Sequence, residues 1–219
     1  MVLTDGVHGP TLAPVESLVL NTVLIGAAFL LLCRPNTSAK KEILVLSIIT
    51  LAAAASRVLL EPLANVQPLT MMCLVMGGVL GARRGMAFAL MATLLSNAIL
   101  SNGWWTLFQA TGWAAAAFAG SKLALVIDGE IQMKRLLLSA AVASVLFDWW
   151  VSLSVWHSGM GLGEFALYLL NGLPFDALHV IASLTFSVWL AQHLADLIHQ
   201  QVSLDLNENP VVSPDVRPN

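Results

Sequence analysis

Apolar residues in this chain run in long blocks, and the polar residues collect in the gaps between them. Seven blocks have helix length: Val15–Leu32, Glu42–Leu60, Pro68–Ala82, Gly85–Leu100, Trp104–Val126, Met133–Trp156 and Pro174–Ile198. A helix crossing a bilayer needs roughly 20 mostly apolar residues, so the pattern predicts an all-α integral membrane protein with seven spans. Strands are not expected. Backbone groups in lipid need internal partners, and no alternating barrel pattern occurs. The third and fourth blocks reach only about 23 Å at 1.5 Å per residue. They are expected to be shielded by other helices or to sit where the bilayer thins.

The basic residues fall in alternate gaps. Arg34, Lys40 and Lys41 share one gap, Arg83 and Arg84 another, and Lys122, Lys134 and Arg135 a third. The gaps around Glu61–Pro68, Ser101–Trp104 and His157–Gly172 have no Lys or Arg. Cytoplasmic loops carry the excess of basic residues. The expected topology therefore puts the N-terminus outside, the C-terminus in the cytoplasm, and every basic residue except Arg57 on the inner side.

Composition supports a membrane location. Hydrophobic residues are 58% and charged residues 11%, against about 25% charged in soluble domains. Mean hydropathy is +0.80. Cys33 and Cys73 both fall in apolar blocks and read as small buried residues, suggesting neither a disulfide nor a zinc site. No basic region precedes the first apolar block, so a cleaved signal peptide is not expected. The expected organisation is an extracellular N-terminus and extra helix over 1–40, a six-helix membrane domain over 41–199, and a disordered cytoplasmic tail over 200–219. The first block, interrupted only by Asn21, Thr22 and Gly26, reads as a lipid-facing addition to that six-helix core.

With the faces assigned, the unusual polar residues gather on the outer one. Arg57 lies near the outer end of the second block, where it either snorkels, pairs with Glu61, or contacts an anion or carboxylate at a cavity. Asn65 and Gln67 follow in a loop bounded by Pro62 and Pro68, and a plain turn would not need both amides. Trp104, Trp105 and Trp113 suit an interfacial aromatic belt, but Gln109 needs a polar partner or a cavity. Asp148 lies about two turns inside the sixth block and must be protonated, paired or facing water. Arg57 is its expected partner. Asp176 suits a helix N-terminus beginning at Pro174 and shares a face with His179. Apolar walls with a few placed polar groups describe a small-molecule site. There is no Walker motif, so any ATP is handled by another subunit.

Taken together, four motifs resemble the substrate-binding S component of an energy-coupling-factor (ECF) vitamin transporter, most of all the cobalamin type. They are Arg57 with Pro62-Leu63-Ala64-Asn65-Val66-Gln67-Pro68; Gly77, Gly81, Gly85 and Ser96-Asn97; Gly103, Trp105-Thr106, Gln109 and Trp113; and Gly172-Leu173-Pro174-Phe175-Asp176 with His179. The likeness covers about Leu51 to Leu194. Ser101, Trp104 and Ala110 depart from the third motif's usual Gly, Pro and Met. Ala64 is inserted before Asn65, and Ser183 stands where the family often has Asn. The extra first helix is also unlike the usual six-helix S component.

The resemblance implies capture of a vitamin or cofactor precursor, a corrinoid by preference, on the outer face. Arg57, Asn65, Gln67, Trp104, Trp105, Gln109, Trp113, Asp148, Asp176 and His179 would bind it. It also implies partners: a membrane T subunit, docked through small residues Ser47, Ala52, Ala55 and Ser56, and two ATPase subunits. No enzyme activity, cofactor, metal or nucleic-acid partner is expected. The alternatives are an intramembrane enzyme using Asp148, His157, Asp176 and His179, or an accessory membrane subunit without a ligand.

Overall fold

A computed structural model describes residues 5–6, 9–10, 12–32 and 40–208, with side chains from 12–32 and 43–200. Seven α-helices account for nearly all of the described residues: α1 (Pro14–Leu32), α2 (Lys40–Leu59), α3 (Leu69–Leu80), α4 (Ala82–Leu100), α5 (Trp105–Gly120), α6 (Met133–Ser152) and α7 (Leu162–Glu208). The all-α class holds. Among the described residues, three stretches are long and apolar enough to cross a membrane, Pro14–Leu32, Met133–Val155 and Leu162–Gln200, which fits membrane localisation. The apolar parts of α2 and α3 are shorter.

The surface is unusually apolar, and the interior holds polar groups beside its apolar core. Leu18, Phe29 and Leu30 on α1 are exposed, as are Leu138, Val142 and Leu146 on α6 and Ile181, Val188 and Trp189 on α7. A soluble monomer rarely exposes so much contiguous apolar surface; in hydrocarbon it costs nothing. Buried positions include Arg57, Thr70, Ser96, Asn97, Thr106, Asp148 and His179. Among the described residues, every fully buried side-chain nitrogen or oxygen has a hydrogen-bond partner.

Helix α3 is the axis of the bundle. Leu69 to Gly77 are buried without a break, and α4, α5, α6 and α7 all pack on it. The expected shielding of this short helix is thus met. Two glycines make the packing possible. A Cβ at Gly77 would lie 1.8 Å from the Ala117 carbonyl oxygen, and one at Gly120 would lie 2.1 Å from that of Leu74. Helices α3 and α5 therefore touch backbone to backbone, as small residues allow in lipid. Helices α6 and α7 run antiparallel, joined by the pairs Asp148–His179 and Ser144–Ser183.

Helix α1 stands at the edge. It buries Leu24 and Ala28, packing with Leu90 of α4 and Ala110 of α5 in a small cluster of their own. Arg83 donates from Nη2 and Nε to the carbonyls of Leu30 and Leu31, at 2.9 and 3.2 Å. These close part of the acceptor row left at a helix C-terminus.

Four expectations are corrected. Helix α5 stops at Gly120, not Val126, although Leu123–Val126 are apolar. Val126–Ile127 (β3) pairs with Glu130–Ile131 (β4) across Asp128-Gly129, both with positive φ, 50° and 84°. Asp-Gly favours such tight hairpins. Helix α7 begins at Leu162, so Pro174 is interior to it and not in its first turn. The start signal is Glu164, which accepts the Gly161 N–H at 2.9 Å, a reach-back of the capping-box kind. Helix α7 also continues past residue 200 to Glu208; residues 209–219 of the expected tail lie outside the described residues, as does Cys33. The strand-free expectation fails only in loops: at β3–β4 and at Asp5–Gly6 (β1), paired with Gly9–Pro10 (β2).

Candidate functional site

Arg57 is the node of the buried polar residues. It is 7% exposed. Its Nε donates to Gln67 Oε1 at 2.9 Å and its Nη1 to Asn97 Oδ1 at 3.1 Å, with a further hydrogen bond from Nη1 to Ser96 Oγ. The guanidinium also lies over the Trp113 ring, 4.5 Å from its centroid. All these partners are neutral, and among the described residues no carboxylate pairs with Arg57. Nη2 has no hydrogen-bond partner among the described residues.

From Asn97 the network runs sideways. Its Nδ2 donates to Thr106 Oγ1 at 3.0 Å and to Gln109 Oε1 at 2.8 Å. Thr106 donates to Asn102 Oδ1 at 2.7 Å, and Asn102 donates to Asn21 of α1 at 3.0 Å. Six elements, α1, α2, α4, α5 and the loops after α2 and α4, thus meet in one set of hydrogen bonds.

A second line starts at Trp113. Its Nε1–H donates to Thr70 Oγ1 at 3.0 Å, Thr70 lies 2.8 Å from His179 Nε2, and His179 Nδ1 lies 2.9 and 3.0 Å from the two Asp148 oxygens. The proton positions are constrained by the donor inventory. Indole can only donate, and an ionised carboxylate can only accept. With Asp148 ionised, Nδ1 of His179 carries a proton, and in the neutral ring Nε2 then accepts the Thr70 hydroxyl. Phe147 stacks on Trp113, with centroids 4.2 Å apart, and meets His179 edge-on.

The remaining predicted residues lie around these two lines. Asn65, at φ 59°, donates to the Phe175 carbonyl at 3.2 Å and so ties its loop to α7. Asp176 accepts from Trp149 Nε1 at 3.2 Å. Trp105 is buried, with its ring against the Gly103 backbone. Trp104 is exposed and meets Phe108, which in turn meets Trp150. Arg57, Gln67, Gln109, Trp113, Asp148 and His179 are thus brought together, while Asn65, Trp104 and Asp176 make separate contacts outside these two lines.

The expected Arg57–Asp148 pair is corrected: the partner of Asp148 is His179. Trp113 and Thr70 stand between the two charges, because Trp113 turns its face to Arg57 and its N–H toward α7. Asp176 and His179 also bond different partners, despite their i,i+3 spacing. His157 lies apart, its Nδ1 accepting the Gly159 N–H at 3.1 Å. Thr70 and Thr106 were missed as site residues. A hydroxyl interrupting an apolar block was the signal for Thr70. Of the proposed docking residues, Ser47, Ala52 and Ala55 are exposed on α2, and Ser56 is half-buried.

The arrangement defines a helical membrane-type protein with a buried polar network around one arginine. Residues 37–204, more than half of the chain, match a family described only as one of unknown function (DUF6580), and the chain belongs to that family. The match takes in the whole network except Asn21 and leaves α1 outside. No curated protein matches the chain, and no solved structure does.

Proposed function

We propose that this chain is the substrate-specific component of an ECF-type uptake transporter, capturing a vitamin or cofactor precursor at the outer face. Helices α2–α7 form the six-helix binding unit, and α1 is an added span at its edge. All seven helices cross the bilayer, with the N-terminus outside and the C-terminus in the cytoplasm. A corrinoid is the favoured substrate class. A T subunit docks on the small-residue face of α2, and two ATPase subunits supply the energy.

One observation carries this reading. Arg57 is a nearly buried cation with no carboxylate partner, held in place by Gln67, Ser96, Asn97 and the Trp113 face, and its Nη2 is left to donate. A residue kept only for stability gains little from a cation without a counterion, because removing a charge from water is costly. A ligand acceptor on Nη2 completes the set. The side-chain amides of a corrinoid supply such acceptors, and its apolar faces suit the aromatic rim of Trp104, Trp149 and Trp150.

A second reading has support in one feature. Asp148, His179 and Thr70 are aligned as in an acid–base triad. Against nucleophilic work by Thr70, its oxygen already takes the Trp113 N–H and is fully buried. The line is better used to hold Trp113 under Arg57.

The test is equilibrium binding to the purified chain with cyanocobalamin and a panel of other vitamins. Submicromolar binding of one compound, lost in Arg57→Gln, is the expected result. Failure of cyanocobalamin alone removes the corrinoid; failure of every compound refutes the capture role. Uptake in cells lacking every T subunit would refute the dependence on a module.

A further inference from the structure

A cleft of about 600 Å³ opens between α1, α2 and α4, away from the Arg57 network. Its walls are Phe29 and Leu32 of α1 and Ile43 and Leu51 of α2, and Met91 of α4 lines it as well. These four wall residues are also exposed, so the cleft is open at the side of the molecule. Two hydroxyls reach it, from Ser47 and Thr50. Each is already donated within its own helix, Ser47 to the Ile43 carbonyl at 2.7 Å and Thr50 to the Leu46 carbonyl at 2.6 Å. The lining therefore offers a guest hydrocarbon contact and almost no polar recognition.

One end of the cleft differs. Arg84, in the first turn of α4, is the single charged side chain in the lining among the described residues. The positive end of the α4 dipole lies beside it. The neighbouring Arg83 is tied to the last carbonyls of α1, and the sequence places Lys40 and Lys41 in the first turn of α2. A cationic end on an apolar slot matches an amphiphile with an anionic head. A slot open sideways to hydrocarbon does not stay empty, because a void forfeits the dispersion contacts of its lining.

We propose that this cleft is a binding site for one anionic phospholipid of the inner leaflet, with acyl chain between α1 and α2 and phosphate at Arg84. The proposal rests on the membrane placement of these helices and not on the transport role. Helix α1, held to the rest mainly through α4, then has lipid as its second packing surface.

The test uses the full chain, purified and delipidated in detergent. Phosphatidylglycerol, phosphatidylcholine with the same chains, and glycerol 3-phosphate are added separately and followed by native mass spectrometry and thermal unfolding. The expected result is a one-to-one phosphatidylglycerol adduct that raises the melting temperature. Phosphatidylcholine should bind roughly fivefold more weakly, the worth of about one basic side chain at an anionic surface. Glycerol 3-phosphate should not bind. Arg84→Gln should erase the preference between the two lipids, and Ser47→Trp, which fills the slot, should remove both adducts. Equal binding of the two lipids by the unaltered chain, or an adduct that survives in Ser47→Trp, overturns the proposal. Should Ser47→Trp not fold, a phosphatidylglycerol bearing a diazirine in its acyl chain serves on the unaltered chain. Crosslinks to residues 25–32 or 43–51 support the site. Crosslinks elsewhere only, or protection of these residues by a partner subunit's helix and not by lipid, overturn it.

Discussion

Trp113 serves Arg57 and His179 at once: its ring face lies 4.5 Å beneath the guanidinium, and its N–H reaches His179 through Thr70. The cation is held by a π-face and the imidazole by the same indole's edge. This explains why Arg57 on α2 and Asp148 on α6 do not form the direct pair that their depths suggest.

The stacking is measurable. A double-mutant cycle of Arg57→Gln with Trp113→Leu should give a coupling of about 1–2 kcal/mol, as expected for a desolvated cation–π contact. Unfolding free energies in mixed detergent supply the four corners. Strict additivity would show that the two side chains are neighbours without mutual stabilisation.

His179 should be neutral with its proton on Nδ1. Nitrogen NMR of histidine-labelled protein should show a protonated Nδ1 and a bare Nε2. His179→Ala, which strips partners from both Asp148 and Thr70, should destabilise by about 3–5 kcal/mol. An Nε2-protonated ring would invert the donor order assigned to Thr70.

Gly120→Ala should be among the most damaging single substitutions, because the new methyl would meet the Leu74 carbonyl. A cost above about 3 kcal/mol is expected, at the upper end of overpacking. Gly26→Ala is the matched control. Nothing lies within 4 Å of its added Cβ, and helix propensity alone should make it stabilising by roughly 0.5–1 kcal/mol. Thermal unfolding of both variants checks the contrast.

Topology is tested by cysteines introduced singly into a Cys33→Ser, Cys73→Ala background. A cysteine at position 157 should react with an impermeant maleimide in intact cells. One at position 122 should react only after permeabilisation. The reverse order would overturn the orientation and place the Arg57 network on the cytoplasmic side.

Much of the fold was legible in block length. Apolar runs located all seven helices, and the brevity of the third foretold its burial. The misplaced ends have local causes. Leu123–Val126 continue an apolar run, yet the Asp128-Gly129 turn makes them part of a hairpin approach. Pro174 looked like a start, but a helix tolerates an interior proline when the preceding turns are secured, here from Glu164. The site was legible as a list of residues and not as a wiring. Which acceptor Arg57 meets depends on how α4 and α5 are rotated, and no single-helix period contains that. Ser96 and Asn97 stood in a motif without a role until α4 turned them toward α2.

The backbone contact between α3 and α5 has a mechanical meaning. Side chains can slide past one another by changing rotamers, but Gly77 against Ala117 and Gly120 against Leu74 have nothing to rearrange. The two helices form a keel that moves as a single piece. Compliance belongs to the margins, where α1 rests on a small cluster and α7 lacks the Pro174 N–H. Thr70 of α3 and Trp113 of α5, bonded to each other, both sit on that keel.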